Sequence, residues 1–332
     1  MTDPAGERLL EVENLHVEFH TEAGTVRAVN GLSYTLDAGE TLAILGESGS
    51  GKSVSAQAVM QIVDMPPGSI PQGSVRYRGR DLLQLGDDDM RQVRGNNIAM
   101  VFQDALTALN PVFRVGWQIG EMFRQHQGMN KKQAREAAID LMDRVGIPGA
   151  RARVDAYPHE FSGGMRQRIM IAMGIALDPD ILIADEPTTA LDVTVQAQIM
   201  DLLSDLQADT GMGLILITHD LGVVAEVADR VVVMYAGREV EKSDITELYG
   251  RPLHPYTEGL MHSIPRPDLD LDRLEPIQGA PPDLLRIPSG CAFNPRCPRA
   301  GERCRTETPA LRDLPGPGQR LSACHKAEEL LA

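Results

Sequence analysis

Apolar positions along this chain fall into three textures. Leu9–Phe19 and Val26–Leu36 alternate as half-buried strands do, with Glu22-Ala23-Gly24 as the turn between them. Thr41–Leu45, Ile181–Ala184 and Leu214–Thr218 are short continuous apolar runs. Such runs suit parallel strands covered on both faces. Ser74–Arg78, Asn97–Phe102 and Val231–Tyr235 read as further strands. Ser53–Val63 reads as a helix ended by Pro66-Pro67-Gly68, and Pro111–Leu177 is helical in texture. Within that stretch, Ala134, Ala138, Leu141, Met142 and Val145 share one helical face. Asp192 is placed to cap a helix that presents Val195, Ile199, Leu202, Leu203 and Leu206. The order predicts a doubly wound α/β core with a helical subdomain set into it. Beyond about Gly250 the periodicity fades into a loop-rich stretch of Pro, Arg and Cys. This appendix is expected to be held by something other than an apolar core.

Composition narrows the function classes. In 332 residues, 47 acidic side chains oppose 32 basic ones, for a net charge of −15. Broad nucleic-acid binding needs a basic footprint, so it is disfavoured. No apolar run is long enough to span a bilayer, and the first residues lack a basic start followed by an apolar stretch. A cytosolic protein is therefore expected. All four cysteines, Cys291, Cys297, Cys304 and Cys324, crowd into the tail.

Candidate chemistry starts at Gly46-Glu47-Ser48-Gly49-Ser50-Gly51-Lys52-Ser53, which matches a phosphate-binding loop between a strand and a helix. Glycines let backbone N–H groups curl around phosphates, Lys52 adds a point charge, and the Ser53 hydroxyl suits Mg²⁺. Asp185-Glu186 closes the run Ile181–Ala184. A carboxylate at a strand's carboxyl end opposite such a loop is placed to hold Mg²⁺, which assigns that role to Asp185 and leaves Glu186 to polarise the attacking water. Gln103 and His219 also end core strands. Gln103 is expected to reach Mg²⁺ or the water, and His219 the γ-phosphate. Taken singly, each is more often a structural polar residue; together they mark one crevice. Ser162-Gly163-Gly164 opens a helix, with a capping hydroxyl and close backbone access for an anion.

These motifs, in this order and over residues 8–245, resemble the ATP-binding cassette (ABC) ATPases. The resemblance extends to Ala190-Leu191-Asp192. It implies a P-loop NTPase cassette: a RecA-like mixed sheet, an antiparallel β subdomain and an α-helical subdomain at about 111–178. A cassette over 8–250 and a C-terminal extension over 251–332 are expected. In the family, two cassettes pair head to tail, and ATP lies between one loop and the partner's Ser-Gly-Gly signature. Phe161 and Met165 depart from the usual Leu and Gln of that signature. Phe19 is the candidate for stacking on adenine.

His254-Pro255-Tyr256-Thr257 and Gly290-Cys291-x-Phe293-x-Pro295-Arg296-Cys297-Pro298 resemble the extension of dipeptide and oligopeptide permease ATPases, D-type. That similarity implies ATP-driven import of peptides and ATP with Mg²⁺ as ligands. It also implies an F-type ATPase partner, two transmembrane subunits, an extracytoplasmic binding protein and a peripheral place on the cytoplasmic face of the bacterial inner membrane. For the cysteines, disulfides do not suit the cytosol, and the paired spacing usual for zinc is absent. A [4Fe–4S] cluster on Cys291, Cys297, Cys304 and Cys324 is the expectation, favoured by the resemblance, with zinc or free thiols as alternatives. The other functional readings are a soluble cassette ATPase of DNA repair or translation, and a transporter of the same type for nickel, haem or another solute.

Overall fold

The computed structural model describes residues 6–263 and 276–331. Its strands are β1 (Arg8–Thr21), β2 (Gly24–Asp37), β3 (Thr41–Leu45), β4 (Gly68–Tyr77), β5 (Arg80–Asp81), β6 (Ile98–Val101), β7 (Ile181–Asp185), β8 (Gly213–Thr218), β9 (Arg230–Tyr235), β10 (Arg238–Asp244), β11 (Arg312–Asp313) and β12 (Arg320–Ser322). The helices used below are α1 (Lys52–Val59), α2 (Val115–His126), α3 (Lys131–Arg144), α4 (Gly163–Ile175), α5 (Val193–Thr210) and α6 (Pro255–His262). The chain divides into two units. The first holds the residues up to Leu9, Asp37–Glu40 and Gln84–Leu216; the second holds Leu10–Leu36, Thr41–Leu83 and the residues from Ile217 onward.

In the second unit, one antiparallel sheet runs in the order β2-β1-β4-β5. β1 buries Leu10 and Val12, then Leu15 and Val17. The alternation slips by one residue where Asn14 takes a positive φ of 47°. The register against β4 is irregular between Glu13 and His16, as an inserted residue in one strand requires. A second set of strands runs β11-β12-β10-β9-β3, with β9 parallel to β3 and β10 antiparallel to β9. Every residue of β3 is buried, which explains its unbroken apolar sequence. The helix that follows is shorter than its sequence suggests: α1 ends at Val59, not Val63.

The tail is more ordered than its weak periodicity predicts. β12 pairs with β10, joining Glu241 to Ser322 and Ser243 to Arg320. Leu253, Leu314, Cys324 and Ala327 form an apolar cluster covered by Leu330 and Leu331. Tyr235, Tyr256 and Phe293 pack with ring centroids 4.6 to 5.4 Å apart. Apolar burial and aromatic contact therefore hold this segment, contrary to the expectation of a tail without a core.

In the first unit, the strands run β8-β7-β6, with β6 parallel to β7. The helical segment is built from well-capped pieces. Asn130 and Gln133 form a capping box at the start of α3, whose buried face is Ala134, Ala138, Ile139, Leu141 and Met142. Asp192 accepts the Val195 N–H at 3.0 Å to start α5, and Gly211 ends it with a left-handed φ of 71°.

Candidate nucleotide site

The phosphate loop joins β3 to α1 inside the second unit. Gly46, Gly49 and Gly51 all take positive φ, of 154°, 78° and 101°. Two of them also sit against backbone. A Cβ at Gly46 would lie 2.3 Å from the Met234 carbonyl oxygen, and one at Gly51 would lie 2.1 Å from that of Ala28. The loop is thus folded tightly onto β2 and the end of β9, and only glycine fits there. Gly49 differs, with nothing within 4 Å of its Cβ position. There the glycine serves the backbone turn and leaves the loop open to an incoming group.

No side chain caps α1, because Gly51 occupies its N-cap. Such a helix start presents N–H groups and the positive end of the helix dipole to an anion. Lys52 is buried, and its Nζ donates to the carbonyl oxygens of Gly46 at 2.7 Å and Glu47 at 3.0 Å. The ammonium therefore lies across the loop. The Ser50 hydroxyl is buried with no hydrogen-bond partner, a cost that a phosphate oxygen would relieve. Glycine cradle, uncapped helix, ammonium and orphaned hydroxyl together fit a polyphosphate.

Glu47 is gripped from the tail. Its N–H donates to the Tyr256 hydroxyl at 2.8 Å, and its carboxylate pairs with Arg296 through Nη1–Oε2 at 2.6 Å and Nη2–Oε1 at 2.9 Å. The motifs containing Tyr256 and Arg296 are visible in the sequence, but their contact with the loop is not. The usable signal was the acidic Glu47 itself, which needs a counterion in an anion-binding loop. Phe19 lies half-buried on β1 opposite Gly68. His219 follows β8 and is exposed, ahead of Asp220, which accepts the Gly222 N–H at 2.8 Å.

In the first unit, two predicted site residues meet directly. Gln103 Nε2 donates to Glu186 Oε2 at 2.7 Å, and the Thr189 hydroxyl donates to the same oxygen at 2.9 Å. Glu186 leaves β7 with a positive φ of 46°, which turns it out of line with the buried strand. Asp185, one residue earlier, is buried at the strand end. With the Gln103 amide oxygen of the same unit, its carboxylate is the kind of hard oxygen donor that Mg²⁺ prefers.

Ser162 caps α4, accepting the Met165 N–H at 3.4 Å, and Ser162 and Gly163 are exposed. Gly164 has a packing reason that the motif does not reveal: a Cβ there would lie 2.5 Å from Val195 Cγ1 of α5. Phe161 is buried, so the departure from Leu fills core without altering the exposed element.

The iron–sulfur expectation is corrected. Among the described residues, no group of three or more His, Cys, Asp or Glu is arranged to hold a metal ion. Cys291, Cys297, Cys304 and Cys324 are free and line one cavity of about 10 Å³. That volume admits about one water molecule, not a core of four irons and four sulfides. Burial pushes the thiols of Cys291 and Cys324 up to about 11 and raises that of Cys297. They are therefore neutral near pH 7 and pack as small apolar side chains.

Comparison with known proteins gives the family. Residues 29–189 match the ABC transporter family, and residues 240–304 match the oligopeptide/dipeptide transporter C-terminal region. The dipeptide transport ATP-binding protein DppD of Bacillus subtilis (strain 168) is 53% identical over 292 residues, covering 88% of this chain and 87% of its own. A putative peptide import ATP-binding protein of Brucella abortus (strain 2308) is 53% identical over 316 residues, covering 95% of this chain and 94% of its own. Among solved structures, the dimeric bacterial ABC transporter cassette MJ0796 aligns with a TM-score of 0.64 and 25% identity, covering 71% of this chain and 99% of its own. CbiO1 of Clostridium perfringens, part of the CbiONQ transporter complex, aligns with a TM-score of 0.63 and 27% identity, covering 74% and 91%. The chain belongs to the ABC transporter family and is an ATPase of that family.

Proposed function

We propose that this chain is the ATP-hydrolysing subunit of a bacterial importer of dipeptides or oligopeptides, with a cassette over 8–250 and an extension over 251–332. The observation that carries this reading is the match of residues 240–304 to the transporter C-terminal region, on a chain whose loop fits a polyphosphate. The relatives named for dipeptide transport and peptide import support the same solute class.

The roles follow from chemistry. Backbone amides of Gly46–Ser53, Lys52 and the Ser50 hydroxyl bind the β- and γ-phosphates of ATP. Ser53, Gln103 and Asp185 would hold Mg²⁺, which would supply charge neutralisation for the phosphates. Glu186, oriented by Gln103 and Thr189, accepts the proton of the attacking water, and His219 donates to the γ-phosphate. Phe19 stacks on the adenine. The exposed Ser162-Gly163 element acts on ATP bound by a second, F-type ATPase in a head-to-tail pair.

No helix among the described residues is long and apolar enough to cross a membrane. We infer peripheral binding, on the cytoplasmic face, to two transmembrane subunits served by an extracytoplasmic binding protein. The exposed group Val112, Phe113 and Trp117, with the two aromatic rings stacked at 4.5 Å, supports docking on such a partner.

The test is uptake of a radiolabelled dipeptide into proteoliposomes that hold the assembled complex. ATP-dependent uptake abolished by Lys52→Ala is expected. ATP turnover without peptide uptake, across di- to pentapeptides, would refute the solute assignment.

A further inference from the structure

The extension reaches into the phosphate loop. Arg296 is 5% exposed in its side chain, and Glu47 is 25% exposed. Besides its two bonds to Glu47, Arg296 donates through Nε to the Gln278 carbonyl oxygen at 3.1 Å and through Nη1 to the Tyr235 hydroxyl at 3.4 Å. Its guanidinium also lies over the rings of Tyr235 and Phe293, at 5.8 and 5.9 Å. Local turns fix where it points. The Arg296 N–H bonds to the Phe293 carbonyl oxygen, and Asn294 Nδ2 donates to the carbonyl oxygens of Ser289 and Cys291. The group is thus held by bonds and rings before it meets Glu47.

Two physical consequences follow. A carboxylate inside a loop that binds a polyanion repels the ligand unless it is neutralised, and a buried bidentate guanidinium does this best. Fixing Glu47 at both its N–H, through Tyr256, and its carboxylate, through Arg296, also fixes the loop amides in place before ATP arrives. A preset donor array binds charge without reorganising.

We propose that Arg296 is a positioning residue for ATP binding: acting through Glu47, and together with Tyr256, it makes the C-terminal extension part of the nucleotide site. This rests on the reading that Gly46–Ser53 binds the phosphates of ATP. The extension then does more than pack against the cassette, because its sequence sets nucleotide affinity.

The test is ATP affinity of the purified full chain, measured by calorimetry with Mg·ATP at 4 °C. Arg296→Gln leaves the Glu47 charge uncompensated and is expected to weaken binding about tenfold, or about 1.4 kcal/mol. Arg296→Lys keeps the charge without the fork and is expected to weaken it about threefold. Glu47→Gln is expected to cost about threefold, and the double Glu47→Gln/Arg296→Gln no more than Glu47→Gln alone. That rescue is a signature a purely structural role would not give. The inference is overturned if Arg296→Gln binds ATP within twofold of wild type, or if the two losses multiply in the double variant. If Arg296→Gln does not fold, Arg296→Lys and the double variant decide the matter by the same criteria. Lys52→Ala is the control for the underlying reading: unchanged ATP binding there would remove the loop assignment itself, whatever Arg296 does.

Discussion

Glu241 and His254 make a sharp prediction about pH and stability. Glu241 on β10 is 1% exposed and accepts the Leu253 N–H at 2.6 Å. Burial raises its carboxyl from 4.5 to about 7, against smaller pulls the other way from Thr257, the backbone N–H groups of Leu253 and His254, and last Arg320. His254, also 1% exposed, accepts the Tyr256 N–H at its Nδ1, and burial lowers it from 6.5 to about 3. The signs are opposite. Glu241 holds its proton more tightly folded than unfolded, so its contribution is complete below about 4.5 and is lost as pH rises to about 7. His254 holds its proton less tightly when folded, so its contribution is complete above about 6.5 and is lost as pH falls toward 3. Between about pH 4.5 and 6.5 the two slopes cancel. Glu241→Gln keeps an acceptor for Leu253 and removes one titration. At about 1.36 kcal/mol per pKa unit, the variant gains about 3 kcal/mol over wild type by pH 7.5 and nothing at pH 4.5. Urea unfolding of both proteins at half-unit steps from pH 4.5 to 7.5 reads this difference directly. A difference that does not change with pH would refute the buried, protonated Glu241.

Other outcomes are equally concrete. Gly46→Ala forces a Cβ into the Met234 carbonyl at positive φ, so ATP affinity in calorimetry should fall more than tenfold, while Gly49→Ala, which meets nothing within 4 Å, should lose far less. Phe293→Ala empties the ring cluster with Tyr235 and Tyr256 and should cost about 4 kcal/mol in urea unfolding, showing that packing holds the tail. Trp117→Ala should weaken co-purification with the membrane subunits and leave ATP binding by the isolated chain intact, because Trp117 is exposed in the helical segment.

Much of the cassette was legible because its signals are local. β3, β7 and β8 are apolar runs bounded by chemistry-bearing residues, and the loop Gly46–Ser53 carries its own geometry in its glycines. Gln103 and Glu186 were read separately as strand-end residues, and the structure joins them by a hydrogen bond. The tail and the strand it pairs with were harder. β10 reads Arg-Glu-Val-Glu-Lys-Ser-Asp, and its polarity hid a strand that buries Glu241 and Ser243. Residues far apart in sequence, Tyr235, Tyr256 and Phe293, make its aromatic core, so no local period could reveal it. The four cysteines misled for the same reason. Their crowding suggested a cluster, but in three dimensions they close around about one water's volume inside a packed segment.

The most direct measurement is phosphate release by the assembled transporter with wild-type chain and with Glu186→Gln. Glu186 accepts from Gln103 and Thr189 at one carboxylate oxygen, and the proposed mechanism makes it the base for the attacking water. The account predicts a fall of about a hundredfold or more in turnover with ATP binding retained. Turnover at the wild-type rate in Glu186→Gln would contradict it.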